Sequence, residues 1–361
     1  MFNEADIAWM QYAINLAKNG RYTTRENPRV GCVLVKNGEK IGEGWHEFPG
    51  GPHAEINALA QAGEHARGAT CYVTLAPCTH FGKTPPCSDA LEKAGITKII
   101  AATLDPNPLV HNIDLQNGLC CDEALDLNPG FFMRMQHQRP FIRLKTAMSL
   151  DGRTAMENGQ SQWITGPAAR AQVQKLRAQS CAILTSINTV LLDNPSLTVR
   201  DEEIVALPHF KQPIRVILDS QLRMPLSAKL LTLPGDVWIY TCVNNLEKIN
   251  LLQTMGAQVF VMPQLGQHID LNAVMQHLAQ QKINEVLVEA GSILNGAFLQ
   301  ANLVDEWVLF VAPKILGDKA RGLCALNNVS ELSQAISLEI KQHFQIGEDY
   351  CYVHRHHNPL G

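Results

Sequence analysis

The pattern of apolar and polar positions divides the first hundred residues into alternating helices and strands. Apolar residues from Ile7 onward recur at helical spacing and Gly20 follows as a stop, which predicts a helix over residues 3–19. Asn37-Gly38 is a strong signal for a two-residue hairpin turn. The other predicted elements are strands over 30–35, 39–45, 70–75 and 97–103, and helices over 53–62 and 87–94.

The same alternation resumes after a break. Residues 105–138 are polar and irregular apart from Phe131-Phe132, which places a domain boundary there and predicts domains 1–138 and 139–361. Alternating strands and helices indicate an α/β fold in both domains. In the second domain, the predicted strands cover 141–148, 182–186, 214–219, 237–242, 258–262, 285–289, 306–312 and 350–354, and the helices 168–179, 271–281 and 292–301.

Composition narrows the possible classes of protein. The 361 residues are 46% hydrophobic and 18% charged, as in globular proteins, and the net charge of −4 comes without any basic run. This argues against a nucleic-acid surface and leaves small anionic substrates open. No signal-peptide pattern and no membrane-spanning apolar run occur, and the ten cysteines are irregularly spaced. We therefore expect a cytoplasmic protein without a membrane partner.

One short segment carries the chemistry of a zinc site. His53, Cys78 and Cys87 offer one imidazole and two thiols, which can bind Zn²⁺ and leave its fourth position open. Glu55 is not needed as a ligand and is placed to handle protons in hydrolysis. A zinc deaminase has this arrangement of His-x-Glu, Pro-Cys and a second Cys. Here eight residues separate the cysteines instead of the two in that signature, so a loop must fold back between Cys78 and Cys87. The alternatives are a structural site with His80 as a fourth ligand, or coincidental packing.

Two other positions each have two interpretations. Asn27 either caps an Asn-Pro turn or hydrogen-bonds a substrate through its amide. The sequence from Val286 to Ser292 is either a routine strand-to-helix turn or a place where free N–H groups hold a phosphate. Glu289 favours the second interpretation, because a carboxylate at the end of an apolar strand costs free energy unless it is exposed or paired.

Several motifs together resemble a known family. They are Asn-Pro-x-Val-Gly at 27–31, His-Ala-Glu at 53–55, the Pro-Cys motifs through Cys87, and, in the second domain, the sequences at 146–153, 161–165, 192–195 and 197–200. The chain resembles the bifunctional diaminohydroxyphosphoribosylaminopyrimidine deaminase/5-amino-6-(5-phosphoribosylamino)uracil reductases of riboflavin biosynthesis. The resemblance implies a cytidine-deaminase-like α/β/α sandwich, followed by a dihydrofolate-reductase-like α/β domain.

The resemblance also implies cofactors, substrates and site residues. One Zn²⁺ per chain is expected on His53, Cys78 and Cys87, with Glu55 as the proton shuttle and Asn27 on the substrate. NADPH is expected against Ala147, Trp163, Thr189, Asp193, Ser220, Gly291, Ser292, Ile293, Leu294, Asn295, Gly296 and Ala297. The phosphorylated pyrimidine is expected against Ser161, Arg177, Leu197, Arg200 and Glu289. A guanidinium can bind phosphate through two hydrogen bonds. Without the resemblance, the sequence predicts Arg177 to be a solvated helix residue.

Lys145 is a further candidate, as a catalytic group at the ribose end or as a salt-bridged strand residue. One departure from the family pattern follows Val110. The family usually has a Gly-rich turn and a helix there, and this chain is about ten residues shorter. The competing hypotheses are a zinc deaminase of another nucleoside or of a nucleic-acid base, and a non-catalytic zinc-stabilised binding protein. We expect small-molecule substrates, no nucleic acid, and a homo-oligomer (a dimer or tetramer).

Overall fold

The computed structural model describes residues 2–81, 85–111, 113–326 and 329–355. The chain divides into two compact units, Met1–Gln138 and Arg139–Gly361, and each is described by itself. Among the described residues, no helix combines the length and the apolar character that crossing a bilayer demands.

The first unit is a five-stranded sheet with helices. The sheet has the order β2-β1-β3-β4-β5, in which β1 runs antiparallel to both neighbours and the last three strands are parallel. Its strands are β1 Gly31–Lys36, β2 Glu39–Trp45, β3 Thr70–Leu75, β4 Lys98–Thr103 and β5 Gln116–Asn117, and its helices are α1 Glu4–Ala17, α2 Ala54–Ala62, α3 Cys87–Lys93, α4 Cys121–Leu127 and α5 Pro129–His137.

Apolar side chains hold α1 against one face of this sheet. Met10 and Ile14 pack with Val33, Tyr72 and Ile100, all of them buried. Helix α1 begins with a capping box, in which the side chains of its N-cap asparagine and of the aspartate three positions later each accept a bond from the other's backbone. The predicted first helix is therefore confirmed, with its end two residues earlier because a short 3₁₀ turn covers Lys18–Gly20.

Helix α2 lies unusually close to strand β2. A Cβ at Gly42 would collide with the carbonyl oxygen of Ala58, and one at Gly44 would collide with that of Ala54. Only glycine permits this approach of backbone to backbone. The close packing fixes the first turn of α2, where His53 and Glu55 are found. The predicted hairpin is also confirmed, since Asn37 and Gly38 both have positive φ, as a type I′ turn requires.

The prediction of an irregular segment over residues 105–138 is wrong. It contains β5 and the two helices α4 and α5, which are seven and nine residues long. Helices this short gain little from propensity and depend on tertiary packing. Ala124 and Leu127 provide that packing in the core beneath α1, and Pro129 suits the first position of α5.

The second unit is built on one nine-stranded sheet. Its order is β11-β10-β9-β8-β14-β6-β15-β18-β17, parallel from β11 to β15 and antiparallel in the last two strands. The strands are β6 Phe141–Ser149, β8 Ala182–Ser186, β9 Ile214–Leu218, β10 Val237–Thr241, β11 Ala257–Val261, β14 Glu285–Val288, β15 Glu306–Ala312, β17 Glu339–Ile346 and β18 Asp349–Arg355, with four short strands outside this sheet: β7 Arg153–Ala155, β12 Gln264–Leu265, β13 His268–Ile269 and β16 Arg321–Gly322.

Helices connect the parallel strands, as an α/β unit requires. They are α6 Pro167–Gln179, α7 Ile187–Asp193, α8 Glu202–Val205, α9 Lys229–Thr232, α10 Leu246–Thr254, α11 Leu271–Gln280 and α12 Ser292–Gln300. The carboxyl ends of the parallel strands β6, β8, β9 and β14 lie on the same side of the sheet. Ligands of open α/β sheets bind outside these carboxyl ends.

All of the strands and helices predicted for this unit are present, but several others were missed. The largest omissions are α7, α10 and the edge strand β17. Strand β17 is mostly exposed and carries polar residues in succession, so it lacks the alternation that marks a half-buried strand.

Candidate active sites

Three structural elements of the first unit bring the predicted zinc ligands together. His53 is the N-cap of α2, Cys87 is the first residue of α3, and Cys78 follows β3 by three residues. Part of the loop between the two cysteines, residues 82–84, lies outside the described residues. The close approach of α2 to β2 and the parallel pairing of β3 with β4 fix where these elements meet.

The ligand atoms are spaced as a tetrahedral zinc site requires. Nδ1 of His53 lies 3.6 Å from Sγ of Cys78 and 3.2 Å from Sγ of Cys87. Zinc–ligand bond lengths imply a nitrogen–sulfur separation of about 3.5 Å in such a site. All three atoms lie within 4.8 Å of one another. This donor set therefore fits Zn²⁺ with three protein ligands, and His80 is not a member of the group.

Hydrogen bonding prepares one thiol for metal binding. The interaction with Cys87 lowers the pKa of Cys78 well below its usual value, and His53 lowers it further against the opposing effect of burial. The backbone N–H of Cys87 also points at Cys78 Sγ, at 3.3 Å. Since the thiolate is the form that binds metal, the loop geometry favours ligation.

Glu55 lies in the first turn of α2 and is almost fully buried. Burial raises the pKa of Glu55 above its usual value, and the neighbouring His53 opposes the rise. A carboxyl group with a raised pKa beside a zinc site can both accept and return a proton near neutral pH.

Asn27 makes a contact that the sequence did not suggest. Its Nδ2 lies 2.9 Å from Nε2 of His46, whose Nδ1 lies 3.1 Å from the carbonyl oxygen of Pro52. A carbonyl accepts only from N–H, so the proton of His46 is on Nδ1 and Nε2 accepts from Asn27. The amide orientation is thereby fixed, with Oδ1 directed away from His46.

Two residues near this site escaped the sequence analysis. His46 is buried and packs edge-on against the His53 ring, with centroids 5.4 Å apart. Asp105 follows β4, the parallel neighbour of β3, and burial raises the pKa of Asp105 to about 6. The signal available for Asp105 was its place at the carboxyl end of a strand beside Cys78; His46 had no comparable signal.

In the second unit, Glu289 is the centre of a charged cluster. Arg177 Nε lies 2.6 Å from Glu289 Oε1 and its Nη2 lies 3.0 Å from Oε2, while Lys145 Nζ lies 3.8 Å from Oε2. Burial alone would raise the pKa of Glu289, but Arg177 and Lys145 outweigh it and hold the pKa at about 2. Arg177 is therefore largely buried and paired, and not the solvated residue that its helical position suggests.

Lys145 forms a salt bridge with Glu289. It lies in β6 at the level where β14 ends, since Leu144 pairs with Val288. Burial lowers the pKa of Lys145, and Glu289 opposes the change. The parallel register of the two strands is what brings Lys145 to Glu289.

The turn before α12 fits a phosphate group. Gly291 is the N-cap of the nine-residue helix, and its side-chain position is open. The first N–H groups of a helix have no intrahelical partners and attract anions. Gly296 has a different role, because a Cβ there would collide with the carbonyl oxygen of Ala325. Asn295 is buried with Oδ1 unpaired among the described residues.

Four further residues expected to contact NADPH lie in β6 or follow the parallel strands β8 and β9. Thr189 lies in the first turn of α7, after β8, and its N–H bonds the Ser186 side chain. Ser220 follows β9, and its Oγ accepts from Ile269 N at 3.1 Å. Ala147 lies in β6 and Asp193 ends α7.

The loop from 156 to 165 carries Ser161 and Trp163, and it approaches the end of β15 at Trp163. Lys314, two residues beyond that strand, donates from Nζ to the Trp163 carbonyl at 2.8 Å. The Arg170 guanidinium stacks over the largely exposed Trp163 ring at 4.6 Å. The structure thus holds Trp163 in place by its backbone and by its ring.

The segment 197–200 adjoins Arg177, whose Nη1 donates to the Thr198 carbonyl at 3.0 Å. The Leu197 side chain is buried in the core of the second unit. Any contact of Leu197 with substrate must therefore come from its backbone. Arg200 is exposed, and its backbone N–H bonds Gln174 Oε1 at 2.7 Å.

Comparisons with known proteins agree with this organisation. Residues 3–103 match the family model described as the cytidine and deoxycytidylate deaminase zinc-binding region, and residues 140–352 match the RibD C-terminal domain. The fold and the sites thus define a zinc-dependent deaminase joined to an NADPH-dependent reductase. The chain belongs to the RibD family of riboflavin biosynthesis proteins.

Similar proteins cover almost the whole chain. The riboflavin biosynthesis protein RibD of Escherichia coli is 47% identical over 96% of this chain and 98% of its own length. The structure of Acinetobacter baumannii RibD is 43% identical with a TM-score of 0.89, covering 98% of this chain and 99% of its own. The Thermotoga maritima diaminohydroxyphosphoribosylaminopyrimidine deaminase/5-amino-6-(5-phosphoribosylamino)uracil reductase is 32% identical with a TM-score of 0.85, covering 97% and 98%.

Proposed function

We infer that the chain catalyses two reactions of riboflavin biosynthesis. The first unit deaminates 2,5-diamino-6-(5-phosphoribosylamino)pyrimidin-4(3H)-one by hydrolysis, and the second reduces the ribosyl group of the product to ribityl with NADPH. The observation that carries this assignment is the three-donor zinc group with Glu55 beside it, in a chain whose relatives and domains are those of RibD. This family membership disfavours the hypotheses of a nucleic-acid deaminase and of a non-catalytic binding protein.

In the first unit, the chain's own residues hold the metal and move the proton. His53, Cys78 and Cys87 bind Zn²⁺, which lowers the pKa of a water molecule and so supplies the nucleophile for hydrolysis. Glu55 takes a proton from the attacking water, delivers it to the pyrimidine ring nitrogen, and then assists the departure of ammonia. Asn27 holds the substrate through Oδ1, because His46 fixes the orientation of its amide.

In the second unit, charge complementarity orients both ligands. Bound NADPH supplies a hydride for C1′ of the ribosyl group. The N-terminus of α12 holds a phosphate of the dinucleotide, next to Ala147, Trp163, Thr189, Asp193 and Ser220. We assign Arg177 and Arg200 to the substrate phosphate, and Ser161, the Leu197 backbone and Glu289 to other parts of the substrate.

Lys145 lies at the ribose end of the pocket, and its role can be tested directly. We expect Lys145→Met to reduce NADPH oxidation with the uracil intermediate by about 10²-fold or more, because it removes a proton donor and a counter-charge to Glu289. Ammonia release by the same chain should be unchanged. Lys175→Met, on the exposed side of α6, is the matched control. Normal NADPH oxidation by Lys145→Met would reduce Lys145 to a structural ion pair.

The two glycines of α12 should respond oppositely to alanine. Gly291→Ala meets open space at ordinary φ, so we expect an unchanged melting temperature but a raised KM for NADPH, since the added Cβ points where the phosphate approaches. Gly296→Ala collides with the backbone of Ala325 and should cost about 1–3 kcal/mol of unfolding free energy. Thermal denaturation and NADPH titrations separate the two effects. Equal melting temperatures of the two variants would contradict this division of roles.

We also propose that the protein is cytoplasmic and homo-oligomeric. None of the ten cysteines forms a disulfide, not even Cys32 and Cys71 with sulfurs 3.5 Å apart, which suits a reducing compartment. The edge strand β17 and the turn before it expose Leu332, Ile336 and Ile340, a surface that a second copy of this chain would cover. Light scattering in solution measures the molecular mass of the particle, which should be a multiple of the mass of one chain.

The most direct test of function supplies the diaminopyrimidine ribosyl phosphate with and without NADPH, following ammonia and NADPH separately. We expect ammonia release in both cases and NADPH oxidation only after deamination. Absence of ammonia release from zinc-loaded protein would overturn the assignment of the first unit. Absence of NADPH oxidation with the deaminated intermediate would overturn that of the second.

A further inference from the structure

The turn that carries Asn27 projects beyond the end of its sheet. Strand β1 first pairs with β2 and β3 at Gly31 and Cys32, so the backbone of Arg29 has no neighbouring strand there. Half-buried N–H and C=O groups of this kind need partners, because leaving them unpaired costs free energy. Both groups are satisfied by one side chain from a distant part of the sequence.

That side chain belongs to Asn128. Its Oδ1 accepts from the backbone N–H of Arg29 at 2.7 Å, and its Nδ2 donates to the Arg29 carbonyl at 2.9 Å. The amide therefore pairs with Arg29 as the backbone of a neighbouring strand would. The Leu127 carbonyl adds a third bond, from Arg29 Nη1 at 2.6 Å.

The position of Asn128 in its own helix makes this contact notable. Asn128 is the N-cap of α5, where an asparagine side chain usually accepts from the helix's own N–H groups. No such cap bond is formed, and the buried side chain is turned to Arg29 instead. The residue thus gives up a local stabilising bond for two bonds to Arg29, which lies 99 positions away in sequence.

We propose that Asn128 is a positioning residue of the deaminase site, which holds the Asn27 turn in the geometry that binds the pyrimidine. This inference rests on the proposed function, in which Asn27 contacts the substrate. Asn27 is two residues from the bonded Arg29, and Pro28 between them restricts the backbone and transmits its position. The segment that follows the shortened chain after Val110 therefore contributes to the site through α4 and α5.

Asn128→Ala should raise the KM of the deamination about tenfold, as expected for losing one or two hydrogen bonds. Zinc content, the deamination kcat and NADPH oxidation with the uracil intermediate should stay unchanged. Leu119→Ala removes a buried side chain of the same core without touching the turn and should leave the KM as it is. Asn128→Asp keeps the shape and the acceptor but loses the donor, so its KM should also rise. This variant tests the proposal even if Asn128→Ala fails to fold.

A double-mutant cycle shows whether Asn128 acts through Asn27. We expect Asn27→Ala to raise the KM, and Asn128→Ala to add less than about twofold in that background, because the positioned group is already absent. A full tenfold effect of Asn128→Ala in the Asn27→Ala background would overturn the proposal, as would an unchanged KM in Asn128→Asp. If the unmodified, zinc-loaded protein released no ammonia, that result would instead refute the proposed function itself.

Discussion

Replacing Glu55 with glutamine is expected to slow deamination by about 10²–10⁴-fold while the zinc site and the reductase stay intact. Glutamine preserves the volume of this buried side chain but cannot carry a proton between the attacking water and the ring nitrogen. Proton shuttling of this kind is worth about 10²–10⁴-fold in rate. Ammonia release should fall by that factor. The zinc content and the rate of NADPH oxidation should equal those of the unmodified protein.

Exposed Glu64 provides the matched control for this substitution. Glu64→Gln makes the same chemical change in the same unit, away from the zinc ligands, and should leave ammonia release as it is. Because both reactions reside in one chain, NADPH oxidation reports whether each preparation is correctly folded. Near-normal deamination by Glu55→Gln would exclude Glu55 as the proton shuttle.

Replacing His53 with alanine is expected to have the larger effect, because it removes both the metal and the activity. Two thiolates without the imidazole form an incomplete donor set for zinc. The variant also loses the contact between His53, at the start of α2, and the sulfur of Cys87. Bound zinc should fall from one per chain to near zero, and ammonia release should become undetectable. Elemental analysis of the purified variant gives the zinc content beside the ammonia assay.

The exposed histidine His65 serves as the control for this variant, since it lies in the same unit but outside the metal group. His65→Ala should retain zinc and deamination. NADPH oxidation by His53→Ala should also persist, because the reductase residues belong to the other unit. A His53→Ala protein that retains one zinc per chain would show that the site has other ligands.

Local sequence signals predicted most of the elements that build the two sites. The hairpin at Asn37-Gly38, the start of α2 at His53 and the start of α3 at Cys87 each have a strong local cause. Turn chemistry, capping and apolar spacing act within a few residues, so a single sequence reveals them. The same signals were weak in α4, α5 and β17, where packing and pairing supply the stability.

Contacts between distant residues could not be read from the chain. Asn27 reaches His46, Arg29 reaches Asn128, and Glu289 reaches Arg177 across separations of 19, 99 and 112 positions. Such pairs depend on strand register and helix packing, which a one-residue shift in pairing would alter. Arg177 illustrates the consequence, because its helical spacing suggests a solvated residue while the fold buries it against Glu289.

The sequence by itself determined the chemistry of the protein: the three zinc donors, the carboxylate of Glu55, and the α/β class of both units follow from residue types and short-range spacing. Only the tertiary structure decided the geometry in which that chemistry works. It set the distances from His53 to the two sulfurs, the ion pairs that keep Glu289 charged, and the amide of Asn128 on the Asn27 turn. The physical reason is that residue type fixes what a group can donate or accept, while burial and the partners brought by the fold fix its orientation and its pKa.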